Sequence, residues 1–219
     1  MCFSKEASII TTFLVYSAVI YSILNNYHKN KYFLFVILIH ILTVGIIEPL
    51  EGVIHALYEK EKSTSSKLFT KLETALWFSI LLQPLFQCLL FIILKINPNY
   101  NKYVIGLNVL FYTYTMYVYD NIRLDIIPKN ENGYTKMYFN KLSQNIYWAR
   151  FEILTFLLPI ILGVNKSIHM LVLLIQQIII IFMASFIGKK IDHSMGSLWC
   201  FISSVGLWLQ IIVKKFLQI

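Results

Sequence analysis

The sequence predicts an all-α, polytopic integral membrane protein: one bundle of about seven transmembrane helices, with a small β-hairpin in the fourth connection. Of the 219 residues, 58% are hydrophobic and only 14% are charged, and the mean hydropathy is +0.66. A soluble domain carries about 25% charged residues, so this composition excludes a soluble enzyme. The chain is therefore expected to be a single transmembrane domain, 1–219.

Apolar runs long enough to cross a bilayer core, which takes about 20 helical residues, alternate with charged residues, Asn or Pro-Asn. The predicted spans are residues 7–24, 32–57, 72–94, 103–119, 148–164, 168–187 and 196–213. The first span has no basic region before it and no small-residue cleavage site at its end, so we expect it to be retained.

Two connections are longer than the others. Residues 58–67 are charged and Ser-rich and predict a solvated loop. In the connection 120–146, the turn Asn130-Glu131-Asn132-Gly133 separates two stretches with strand character. Asn-Gly favours positive φ, which predicts the β-hairpin.

The basic residues of the chain lie mainly in the gaps between spans. The net charge is +8, and at these places lysines face lipid headgroups and water, so the expected partner is the lipid bilayer and not nucleic acid. We call the end of the bundle that carries the N-terminus side A and the opposite end side B. Side A has more Lys and Arg but also nearly all the acids, so the positive-inside rule does not decide the orientation.

Ionisable residues inside a membrane span are costly and point to function. The second span carries His40, Glu48, Glu51 and His55, whose separations of eight, three and four predict one helical stripe facing the bundle interior. Pro49 is expected to kink this helix, and Gly52 to let a neighbouring helix approach. In the third span, two glutamines flank Pro84.

Alternating chain direction places most of these groups toward side A, which predicts a polar vestibule lined by spans two, three, five and seven. The candidate ligand- or proton-binding residues are Glu51, Glu48, His55, Gln83, Arg150, Glu152 and Cys200. A purely structural alternative is that Glu51 hydrogen-bonds with Arg150, glutamines and tyrosines to hold helices together.

Other site chemistries have weaker support in the sequence. Glu48, Glu51 and His55 are ligand types for zinc or iron, with His169 or His193 to complete a site, but no metal-binding motif accompanies them, so no metal is predicted and the cofactor is unknown. Acyl transfer would need a nucleophile near His55, and the candidates in the last span are Ser203, Ser204 and Cys200. The last span holds no lysine for a retinal Schiff base, and no glycine-rich loop marks a nucleotide site.

The three cysteines have different predicted surroundings. Cys88 lies in the middle of a span and is expected to be packed and inert. Cys2 and Cys200 both lie toward side A, where a disulfide or two unrelated small residues are alternatives.

The opening MCFSKEAS, residues 1–8, resembles the Met-Cys-Phe/Trp-Ser-x-x-Ala-Ser start of an uncharacterised seven-helix membrane protein family, bacterial with relatives in large DNA viruses. The likeness continues at Glu51-Gly52, Gln83-Pro84 and Trp199-Cys200-Phe201. It implies seven helices, an external N-terminus and a cytoplasmic C-terminus, but no activity. The residues that it favours are Cys2, Ser4, Glu51, Gly52, Pro84, Trp199 and Cys200.

Glu48 and His55 stand where that family commonly has a glutamine and an aromatic residue, so the resemblance does not carry them over. Ser4 also has a structural explanation, because its hydroxyl can cap the first helix.

The leading hypothesis for function is a transporter-like or receptor-like membrane protein that binds a small molecule or ion, with Glu51 as a buried proton- or cation-binding carboxylate. The first alternative is an intramembrane lipid-acting hydrolase that uses Glu51, His55 and a metal. The second is a structural membrane protein. A small-molecule or lipid ligand fits the first two, and the sequence defines neither a substrate nor an oligomeric state.

Overall fold

The computed structural model describes residues 5–61, 64–122, 126–131, 134–139, 146–191 and 195–217. Side chains are described except in 123–146, 183–201 and 217. The helices of this part are α1 (Lys5–Leu24), α2 (Lys31–His40), α3 (Ile47–Glu61), α4 (Lys67–Leu81), α5 (Gln83–Ile93), α6 (Asn101–Ile122), α7 (Ile146–Gly163), α8 (Ile168–Ile191) and α9 (Met195–Leu217). Strands β1 (Ile126–Glu131) and β2 (Tyr134–Phe139) lie between α6 and α7.

Helices occupy the positions of all the predicted spans. Within the described part of the chain, fewer than seven segments qualify as crossings. Among the described residues, three helical segments are long and apolar enough to cross a membrane: Lys5–Leu24, Lys31–Glu61 and Tyr147–Lys166. A fourth is the pair α4 and α5 if this bent pair is counted as one span. The count is thus lower than the seven predicted, and in α6 the reason is that Tyr and Asn lower the hydropathy of a full-length helix.

Two boundaries differ from the predictions because charged residues continue a helix past the end of its apolar run. Helix α3 runs to Glu61, so the start of the predicted loop 58–67 is helical. Helix α4 begins at Lys67, where the side-chain oxygen of Ser66 accepts from the Phe69 N–H at 3.2 Å. A Ser N-cap of this kind satisfies one of the unpaired donors of the first turn.

Strands β1 and β2 pair antiparallel, with Ile126 opposite Phe139 and Glu131 opposite Tyr134. The predicted Asn-Gly turn between them falls at residues 132–133, outside the described residues.

The second predicted span is not one regular helix. Residues Ile41–Gly45 form a π-helical turn between α2 and α3, closed by the Ile46 N–H donating to the Ile41 carbonyl at 3.0 Å. Pro49 follows one turn later, so the irregularity precedes the proline that was expected to cause it. A π turn inserts an extra residue into a helical turn and changes which side chains share a face.

Both sequential and non-sequential helices pack together in the bundle. Helix α1 packs against α3 and α9, α8 against α9, and α7 against α5, α6 and α8. The main hydrophobic core joins buried residues of α1, α2 and α5 to α9, among them Phe33, Phe91, Phe156 and Leu207. At side B, the Lys31 ammonium donates to the Lys95 carbonyl at 2.7 Å, which ties the first connection to the third.

Candidate functional site

Glu48, Glu51 and His55 lie on the buried face of α3, and we call these three side chains the Glu51 face. The exposed fraction is 0% for Glu48, 2% for Glu51 and 0% for His55. Residues spaced by three and four positions share one side of a helix, so these three buried groups lie on one side of α3. Their low exposure means that this face is closed in the structure, whereas the sequence predicted a vestibule opening to side A.

Helix α1 covers α3 beside this face. A methyl group added at Gly52 would lie 3.5 Å from the Cβ of Ser8, so the two helices meet at a pair of small residues. Nearer to the end of the bundle, Lys5 Nζ lies 3.3 Å from Glu59 Oε2 at a partly exposed ion pair. Glu51 is eight residues from Glu59, which is about 12 Å along a helix. The Glu51 face therefore lies below the side A surface.

Tyr16 of α1 completes the irregular backbone of the second span. A proline lacks the N–H that would bond to the carbonyl four residues earlier, which for Pro49 is the carbonyl of Gly45. The Tyr16 hydroxyl donates to that Gly45 carbonyl at 3.0 Å. A side chain from a neighbouring helix thus satisfies the carbonyl that Pro49 leaves open.

Pro84 breaks the third span in a similar way. Helices α4 and α5 are bent by 44° at Leu82. The Tyr112 hydroxyl of α6 donates to the Leu81 carbonyl at 2.8 Å and accepts from the Leu85 N–H at 3.3 Å. It thereby takes the place of a direct bond between those two backbone groups.

The remaining polar candidates of spans three and five differ in burial. Gln83 is half-buried, and Gln87 is fully buried with no hydrogen-bond partner for its amide among the described residues. Glu152 of α7 is half-buried and interacts electrostatically with Tyr112. Arg150 is exposed on the same helix.

His40 lies in α2 and meets α8. Its Nδ1 lies 2.7 Å from the Val36 carbonyl, and its Nε2 lies 3.2 Å from Nε2 of Gln176 in α8. The carbonyl needs a donor and the amide nitrogen is itself a donor, so these partners fit a neutral imidazole protonated at Nδ1. The predicted stripe that joins His40 to the Glu51 face therefore stays a prediction.

We call His40, Gln176 and Ser203 the central node, because Gln176 Nε2 also lies 3.4 Å from the Ser203 carbonyl in α9. A methyl group added at Gly206 would overlap the Gln176 amide, so the observed position of this amide requires the glycine. Ser203, a candidate nucleophile for His55 in the sequence, thus lies beside a different histidine.

His169 lies at side B and does not complete a metal site with Glu51. Its Nδ1 is 3.3 Å from Gln210 Oε1, and its ring packs edge-on against Phe33 with centroids 5.0 Å apart. Phe33 precedes Glu51 by 18 residues, or about 27 Å of helix. Among the residues with described side chains, no cluster of three His, Cys, Asp or Glu side chains suits a metal ion.

Of the other residues that the sequence singled out, the structure describes some and not others. Cys88 is buried in the main core, as predicted, and Pro84 is buried at the bend. Cys2, Ser4 and His193 lie outside the described residues, as do the side chains of Trp199 and Cys200. The Cys2–Cys200 alternatives therefore stay predictions.

Sequence reasoning missed several residues that organise the bundle. Tyr16 and Tyr112 give no local signal, because a tyrosine in an apolar run is usual at a membrane interface. Gln176 and Gln210 do give a sequence signal, since an amide inside an apolar span needs a partner just as a carboxylate does.

Comparisons with protein-family models, curated proteins and solved structures found no match to this chain.

Proposed function

We propose that this protein is an integral membrane protein of a transporter-like or receptor-like kind, which binds a proton or small cation at the Glu51 face. The observation that carries the proposal is the complete burial of two carboxyl groups and an imidazole on one side of a membrane-span helix. Such groups are expensive in a bilayer, and they occur there mainly in ion pathways, proton relays and ligand sites.

The spacing of these side chains suits a cation. Glu48 and Glu51 are three residues apart, so their carboxyl groups lie about one helical turn apart on one side of α3. Two carboxylates repel each other strongly where water does not screen them, and a shared proton or a small cation removes that repulsion. His55, one turn further toward side A, is a suitable group to pass a proton to or from Glu51.

Irregular backbone near the site supports movement as part of this function. A π turn precedes α3 and a 44° bend separates α4 from α5, and α3 packs against α4. Transport sites are often built next to interrupted helices, and π turns are frequent at functional sites. In this proposal the Tyr16 and Tyr112 hydroxyls hold the two interruptions in the closed state.

The proposal includes seven crossings, an external N-terminus and a cytoplasmic C-terminus. It is supported by helices at all seven predicted positions and by the resemblance of the opening octet to a seven-helix family. Single cysteines introduced at the exposed positions Lys29 and Glu61, in a Cys-less background, test the topology. A membrane-impermeant maleimide added to intact cells should label the cysteine at position 61 and not the one at position 29. The reverse pattern would overturn the orientation.

Replacement of Glu51 by Gln tests the proposed function, with Glu59→Gln as the matched control on the same helix. Both variants remove one carboxylate, but Glu59 is partly exposed in its ion pair with Lys5. Purified protein is analysed for metals and by native mass spectrometry, and proteoliposomes are assayed for uptake of protons, sodium or potassium. We expect a bound cation or a flux that Glu51→Gln abolishes and Glu59→Gln retains.

Two results would contradict the proposal. The first is an equal amount of bound cation and an equal flux in wild type, Glu51→Gln and Glu59→Gln. The second is a loss of both in Glu59→Gln as large as that in Glu51→Gln, because such a loss would reflect general damage to the α1–α3 interface.

A further inference from the structure

The two ends of the bundle differ sharply in charge. None of the acidic residues of the chain lies in or next to the connections of side B. The basic residues of side B are Lys29, Lys31, Lys95, Lys102, Lys166, Lys214 and Lys215. A membrane-protein end with many lysines and no acid attracts anionic headgroups, and it offers no carboxylate to the ammonium of a zwitterionic one.

A groove of about 530 Å³ opens on the bundle surface at this end, between the last turns of α1 and α9. Its lining residues are Tyr21, Trp208, Ile211, Ile212, Lys215 and Phe216. The Tyr21 and Trp208 rings pack with centroids 5.7 Å apart. The Trp208 Nε1–H donates to the Leu14 carbonyl at 3.1 Å, which fixes the indole against α1.

Two adjacent lysines at the end of α9 have different surroundings. Lys214 is buried, and its Nζ lies 5.2 Å from the centroid of the Tyr27 ring and 5.7 Å from that of Phe33. These cation–π contacts hold the end of α9 against the first connection. Lys215 is exposed and lines the groove instead.

We propose that this groove is a binding site for an anionic glycerophospholipid of the side B leaflet. Lys215 provides the cation at the headgroup level, and the Tyr21 hydroxyl provides a hydrogen-bond donor from the opposite helix. Ile212 and Phe216 are exposed and apolar, as contact with an acyl chain requires. Basic pockets between transmembrane helices are known to select anionic headgroups. The site is independent of the Glu51 face and lies at the other end of the bundle.

A lipid suits this groove better than a second copy of the chain. The neighbouring α1 surface is apolar and exposed at Ile20, Ile23 and Leu24, as a lipid-facing surface is. A copy of side B would bring lysines against lysines at the headgroup level, which costs free energy through like-charge repulsion.

The test uses Lys215→Gln, with Lys102→Gln as the matched control. Lys102 is exposed at the start of α6 on the same side, and its Nζ lies 5.0 Å from the Tyr103 ring, so both variants remove one side B charge. Brominated phosphatidylglycerol and brominated phosphatidylcholine are titrated into the purified protein in neutral detergent. Quenching of tryptophan fluorescence reports binding, because Trp208 lines the groove, and Trp208→Phe identifies its share of the signal.

We expect wild-type protein to bind phosphatidylglycerol in preference to phosphatidylcholine. One lysine near a headgroup contributes about a fivefold change in affinity. Lys215→Gln should therefore raise the half-saturation concentration about fivefold, and Lys102→Gln should leave it unchanged. Equal binding of the two lipids by wild-type protein, or equal shifts in the two variants, would overturn the proposal. So would a native mass spectrum showing a lipid-free dimer.

Discussion

Gly206→Ala is predicted to disrupt the central node, because the added methyl group would occupy the position of the Gln176 amide. Gln176 is buried, so its amide cannot move into solvent without leaving its contacts with His40 and the Ser203 carbonyl. Each lost hydrogen bond costs about 1 kcal/mol, and a buried polar atom left unpaired costs about 1–3 kcal/mol. Alanine returns about 1 kcal/mol through its higher helix propensity. The net loss in free energy of unfolding is therefore about 2–4 kcal/mol.

Reversible unfolding in mixed micelles measures this loss, with Gly106→Ala as the control. A methyl group at Gly106 would meet no atom within 4 Å, so this variant should be neutral or more stable by up to about 1 kcal/mol. A double-mutant cycle then isolates the overlap. In a Gln176→Ala background the amide is gone, and Gly206→Ala should no longer destabilise the protein.

The reasoning would be refuted by a Gly206→Ala protein as stable as wild type. It would equally be refuted if Gly206→Ala caused the same loss of stability in the wild-type background and in the Gln176→Ala background. The second result would mean that the methyl group meets the α8 backbone rather than the Gln176 side chain.

The tyrosines at the two helix interruptions give the next prediction. Tyr16→Phe removes one hydrogen bond and should cost about 1 kcal/mol, whereas Tyr112→Phe removes two and should cost about 2 kcal/mol. Tyr103→Phe is the control at an exposed ring, and equal unfolding free energies for all three variants would contradict the role of the hydroxyls. Lys5→Gln breaks a partly exposed ion pair and should change the unfolding free energy by less than about 0.5 kcal/mol. A loss above about 2 kcal/mol would mean that this pair holds α1 on α3.

The length of the apolar runs was sufficient to predict where the helices lie. A run of about 20 apolar residues in a chain of this composition forms few structures other than a membrane-span helix. Run length was less reliable for helix ends. The charged segment that ends α3 at Glu61 has no apolar residue to mark it, yet it continues the helix. It also did not distinguish a regular span from an interrupted one, since the π turn at Ile41–Gly45 consists of ordinary apolar residues, a threonine and a glycine.

The Glu51 face could be predicted because ionisable residues stand out in an apolar run and their three- and four-residue spacing is local. The central node could not be predicted, since Gln176 lies in a different helix and 136 residues away from His40 in the sequence. Spacing within one helix cannot show which neighbour a side chain meets.

The most direct test of the central claim is a titration of buried carboxyl groups by infrared difference spectroscopy. Wild type, Glu51→Gln and Glu59→Gln are compared in liposomes over a range of pH. If Glu51 binds and releases a proton, wild type and Glu59→Gln will share a carboxyl band that changes with pH and that Glu51→Gln lacks. The same band in all three proteins would contradict the claim and would leave Glu51 as a residue that only holds helices together.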